Sequence, residues 1–98
     1  MSDFIIERMK IITKKSYPDL FEKVLAGEKT FDMRVADFDV QPGDVLEQIE
    51  VNYDGTLTGR KVRHIVGEVL RTKEIDFWEQ EDIDQYGYQV MSLTERVD

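Results

Sequence analysis

Helical periodicity occurs at full strength in one place in this sequence, and the segments after it alternate in the manner of strands. Tyr17, Leu20, Phe21, Val24 and Leu25 fall on one face of a helix. Ser16 precedes them as a candidate cap, Pro18 suits a first helical turn and Asp19 favours its positive end. Ala26-Gly27 closes the run, because glycine takes the left-handed conformation that ends helices. The pattern predicts one main helix over residues 17–26.

The other segments have the period of strands. Met9–Ile12 reads as the first. In residues 30–35, Phe31, Met33 and Val35 alternate with Thr30, Asp32 and Arg34, as in a strand with one face on a core. Val45–Tyr53 places Ile49, Val51 and Tyr53 on one face. Glu47 interrupts that face, which marks a bulge or a functional exception. Asp54-Gly55 is a hairpin signal, Thr58-Gly59 a softer turn, and a long strand follows over Arg60–Leu70. Residues 74–84 carry six acids and no base and predict a short helical insert. Tyr86–Leu93 reads as a last strand, buried on both faces by its composition. The order predicts an α+β fold: a small, partly closed barrel of about five or six mostly antiparallel strands, since closure removes exposed edges.

A length of 98 residues fits a single domain over residues 1–98. Cysteine is absent, which excludes a disulfide scaffold, a thiolate-bound metal and a cysteine nucleophile, and fits a cytoplasmic protein. No apolar run is long enough to span a membrane, and the charges scattered through Met1–Ile12 do not fit a signal peptide. The net charge of −8 is unevenly spread. Residues 8–34 hold seven bases and four acids, a net of +3, and the remainder carries −11.

Asp32 and Arg34, two apart in a strand, point to one side together with Thr30, and Lys29 stands at the strand entrance. A carboxylate, two cations and a hydroxyl thus converge, either as a site or as an ordinary surface ion pair. In a cleft, Arg34 offers a planar fork for phosphate or a base edge, Lys29 a point charge or proton shuttle, and Asp32 orients both. Trp78 and Tyr86 are candidates for stacking on a base, although Trp78 also suits a role in pinning the acidic insert. Tyr17 belongs first to the helix face. His64, the sole histidine, alternates with apolar residues as a strand position. The acids of 74–84 lack calcium-loop spacing, and no phosphate-binding glycine loop is present, so no metal or cofactor is expected.

Residues 25–34 resemble the signature of the ASCH domain family within the PUA-like superfold. The family pattern Gly-x-Lys-x-x-Glu-x-Arg stands here as Gly27, Lys29, Asp32 and Arg34. The stretch Asp37–Leu46, with its Pro-Gly-Asp turn, is similar to the family segment that re-enters the barrel. Asp54–Arg60 and Tyr86–Leu93 are similar to a compact bacterial and phage branch, DUF3850. The resemblance covers about residues 9–94. It implies a β-barrel whose cleft, beside the first helix and lined by the signature residues, binds RNA or a nucleotide or acts on one. One ASCH branch hydrolyses the amide of N4-acetylcytidine. There the lysine matching Lys29 is catalytic, with a threonine where Asp32 stands and a glutamate from a later helical segment. That glutamate would be Glu74, Glu79 or Glu81. Asp32 departs from this catalytic set.

Three functions follow as expectations. The first is binding of short single-stranded RNA or a nucleotide through Lys29, Thr30, Asp32 and Arg34. The second is an amidohydrolase or nuclease acting on a modified nucleoside or RNA, with Lys29 central. The third is an acidic module that binds a partner protein. The overall negative charge opposes long nucleic acid and favours a short ligand.

Overall fold

A computed structural model describes residues 9–74, 80–81 and 84–97. Within them the chain forms β1 (Ile11–Ser16), α1 (Pro18–Leu25), β2 (Phe31–Val35), β3 (Val45–Val51), β4 (Leu57–Arg71), a 3-10 turn (Thr72–Glu74) and β5 (Tyr88–Arg96). The five strands make one curled sheet in the order β1-β3-β4-β5-β2, a half-barrel around one helix. β1 pairs with β3 in parallel, and the β3–β4, β4–β5 and β5–β2 pairs are antiparallel. This is the small α+β barrel-like fold expected. The described residues of the 74–84 segment show no helix beyond the 3-10 turn that ends at Glu74, and residues 75–79 and 82–83, with Trp78 and Glu79, lie outside the described part.

The helix follows one edge strand and precedes the other, so it spans the open seam of the sheet. Phe21 and Val24 on its buried face join Leu46, Val62, Val66, Met91 and Leu93 in the core. Each such side chain contributes roughly 1.5–3 kcal/mol on leaving water. Val40, from the segment after β2, closes the same core, and Gly43 turns the chain back with a φ of +94°. Gly43 donates to the Val66 carbonyl, and Val66 donates to that of Asp44, which stitches the returning loop to β4.

Several local expectations change. The first strand starts at Ile11 and runs on through Lys14, Lys15 and Ser16. Backbone pairing with β3 holds this polar stretch, and lysines suit an edge strand. Ser16 therefore ends a strand instead of capping the helix. Tyr17 occupies the cap position, and no side chain caps there. Gly27, at φ +75°, does end the helix region. Glu47 sits in register between Thr13 and Arg63, without a bulge. It accepts from the Thr13 hydroxyl at 2.9 Å and from Arg63 at 2.7 Å. The irregularity falls one step later, between Ile49 and Val51, opposite the part of β4 where Gly59 takes φ +91°. The softer turn expected at Thr58-Gly59 is thus a bulge within a longer β4, and bulges of this kind bend a sheet. β5 buries Gln89, Met91 and Leu93 on one face and exposes Tyr88, so it is not buried on both.

β2 overturns the expected polarity most clearly. Phe31, Met33 and Val35 are 50%, 59% and 48% exposed, whereas Asp32 is 1% exposed. The period of two is right and the face is reversed. The face holding Asp32 turns inward because buried Gln48, on the interior side of β3, supplies a hydrogen bond there.

Candidate functional site

The seam of the half-barrel is where the chemistry-bearing residues meet. β1 and β2 are its two edges, and one side chain bridges them. Arg34 Nη1 on β2 donates to the Lys15 carbonyl on β1 at 2.8 Å. The same guanidinium is held from below. Its Nε donates to Asp32 Oδ1 at 2.6 Å and its Nη2 to Oδ2 at 3.2 Å. Gln48 Nε2 donates to Asp32 Oδ2 at 2.9 Å. Both carboxylate oxygens are therefore occupied, and Asp32 fixes the direction of Arg34. Gln48 Oε1 is buried without a hydrogen-bond partner.

Two adjoining hollows open on either side of Arg34, and both are also lined by Lys15, Ser16 and Tyr17. The first, about 240 Å³, adds Leu20, Lys29, Asp32 and Met33. The second, about 360 Å³, adds Val51, Tyr53 and Gly55 from the β3–β4 hairpin. Lys29 also lines a third hollow of about 250 Å³ with Thr30, His64 and Leu93. The structure thus brings Lys29, Asp32 and Arg34 to one hollow and places Thr30 in the next. Thr30 precedes β2, and its carbonyl accepts from the Leu93 amide.

The cleft is cationic within an acidic protein. Its two central hollows hold Lys15, Lys29 and Arg34 against the single carboxylate of Asp32. Among the described residues Lys15 and Lys29 make no ion pair, and Lys29 Nζ lies 5.1 Å from the centre of the Phe31 ring. The basic character of residues 8–34 does not survive everywhere, since Lys10 is paired with Asp39 at 3.0 Å. It survives in the cleft, where three cations line the two central hollows beside Asp32.

The second hollow has an aromatic wall. The Tyr17 and Tyr53 rings stack with centroids 4.7 Å apart and planes 17° from parallel. The Tyr53 hydroxyl donates to Asp19 Oδ1 at 2.6 Å. This bond lowers the pKa of Asp19 and raises that of Tyr53. Residues 15–17 and Tyr53 carry no motif that marks them for a site. The only hints were an exposed aromatic beside a hairpin turn and a helix-face tyrosine placed before the first turn. Gln48 announced itself only as a polar residue in a largely apolar run.

The remaining candidates lie elsewhere. Glu74 and Tyr86 line a separate open hollow beside Asp37, Asp39 and Arg71. Glu81 is exposed. Among the described residues no group of acids and His64 is arranged to hold a metal ion, and no helix is long and apolar enough to cross a membrane.

A family model described as "Domain of unknown function (DUF3850)" matches residues 11–93, from the first residue of β1 into β5. The chain belongs to the DUF3850 family. The match includes every lining residue of the two central hollows. No curated protein matches the chain significantly.

Proposed function

We propose that this DUF3850 domain binds a short single-stranded RNA or a nucleotide in the seam cleft, in the manner that its resemblance to ASCH and PUA-like domains implies. The observation that carries the reading is the cation set. Arg34 is aimed by a buried carboxylate and lines one hollow with Lys15 and Lys29, neither of which has an anionic partner among the described residues. A guanidinium in a hollow that two lysines also line suits phosphate oxygens. The chain of hollows sharing Arg34 and Lys29 suits a ligand of one or a few nucleotides. The surrounding charge of −8 disfavours a long polyanion. A cytoplasmic setting accords with a chain that has no cysteine.

Two observations support binding over the hydrolytic alternative, while Glu79 lies outside the described residues. Both oxygens of Asp32 are engaged in orienting Arg34 and accepting from Gln48, and Glu74 faces a different hollow. The test is calorimetric titration with single-stranded oligoribonucleotides and nucleoside monophosphates at two salt concentrations. Binding should weaken with salt, with a log–log slope of about −2 for an oligoribonucleotide that meets the three cations. Arg34→Gln and Lys15→Ala should each reduce affinity. Absence of binding at low salt refutes the reading.

A further inference from the structure

The cations of the cleft account for a phosphate and say nothing about a base. We infer that the Tyr17–Tyr53 pair is a preformed stacking platform for a nucleobase, so that the ligand is a nucleotide unit and not merely a phosphorylated sugar or free phosphate. This inference rests on the cleft being a nucleotide site.

Tyr53 sits at the tip of the β3–β4 hairpin and is 71% exposed. An exposed tyrosine at a hairpin tip ordinarily keeps its rotamer freedom. This one is held twice, by the stack on Tyr17 and by the hydrogen bond from its hydroxyl to Asp19. Those contacts use one face and the polar end of the ring. Its other face stays open, and Tyr17 is itself 47% exposed. The two rings wall the same hollow that contains Lys15 and Arg34, so a base against the aromatics and a phosphate on the cations are within one ligand's reach. Gly55, at φ +91°, makes the turn that follows Tyr53 and lines the same hollow. A ring already immobilised loses little further entropy when a base stacks on it. Stacking on an aromatic face tolerates any base, so the platform favours nucleotides as a class over one particular base.

The test compares adenosine 5′-monophosphate and uridine 5′-monophosphate with ribose 5-phosphate, by calorimetry, on the wild type, Tyr53→Leu and Tyr53→Phe. The wild type should bind both nucleotides at least about tenfold more tightly than the sugar phosphate. Tyr53→Leu should remove most of that difference, weakening both nucleotides far more than ribose 5-phosphate. Tyr53→Phe keeps the ring and should lose only a small part. Tyr53 contributes nothing to the core, and circular dichroism will show that the leucine variant is folded. If nucleotides and ribose 5-phosphate bind equally well, or Tyr53→Leu weakens all three ligands alike, the platform is overturned while phosphate recognition stands. If the wild type binds none of them the platform falls, and if single-stranded oligoribonucleotides also fail to bind the proposed function falls with it.

Discussion

Replacing Asp32 with asparagine should destabilise this protein by about 2–4 kcal/mol, because it strips a buried carboxylate from two donors at once. The substitution keeps the volume and one carbonyl oxygen. Its amide nitrogen must then face either the Arg34 guanidinium or the Gln48 amide, and both are donors directed at that position. One charge-assisted contact becomes donor against donor. Arg34 loses its counterion in a site where its side chain is only a quarter exposed. Loss of one partner of a fully buried pair costs about 3–5 kcal/mol, and the partial exposure of Arg34 reduces that figure. Urea unfolding followed by far-ultraviolet circular dichroism reads the effect. With a slope of about 1–1.5 kcal/mol per molar for a small domain, the midpoint should fall by about 1.3–4 M. The same substitution made on Arg34→Met should cost at least about 1.5 kcal/mol less, because the missing guanidinium has already removed the main interaction. A loss below about 0.5 kcal/mol, or equal losses in the two backgrounds, would refute the reasoning and reduce the pair to a surface contact.

Glu50 is held at a pKa of about 2, first by hydrogen bonds from Arg60 and then by one from Thr58. A depressed folded pKa contributes stability that is present above the unfolded value and disappears as pH falls from about 4.5 towards 2. The urea midpoint should drop across that window, and Glu50→Gln should flatten the drop; an unchanged profile in the variant would exclude Glu50 as its source. Gly87, at φ +62°, has the Lys73 amide nitrogen and Thr72 Oγ1 each 2.8 Å from a would-be Cβ. Gly87→Ala should therefore destabilise the fold by about 1–3 kcal/mol, seen as a lower thermal midpoint, whereas Gly43→Ala, strained but uncrowded, should cost less. Incubation with N4-acetylcytidine should release no cytidine by chromatography, and release that depends on Lys29 would restore the hydrolytic reading.

Much of this molecule is legible in its sequence where the signal is local. The helix is marked by the spacing of Phe21 and Val24 and ended by Gly27, and the hairpin by Asp54-Gly55. The stretch from Gly27 to Arg34 marks the cleft, and Lys29, Asp32 and Arg34 do meet there. What a period of two cannot decide is which face of a strand is inside. In β2 the apolar set Phe31, Met33 and Val35 points the conventional signal inward, yet it lies outside. Asp32 turns in because Gln48, from a strand separated from it in sequence, supplies the buried hydrogen bond, and a single strand carries no trace of that partner. Likewise the acidic average hides a cationic cleft, because Lys10 is neutralised by Asp39 while Lys15 and Lys29 are left unpaired among the described residues. The helix spacing, the Asp54-Gly55 hairpin and the motif from Gly27 to Arg34 are local signals, since each depends on neighbours along the chain. The polarity of β2, the aim of Arg34 and the Tyr17–Tyr53 wall are not local. Each of these is set by a contact between residues that the chain holds apart and the seam of the sheet brings together.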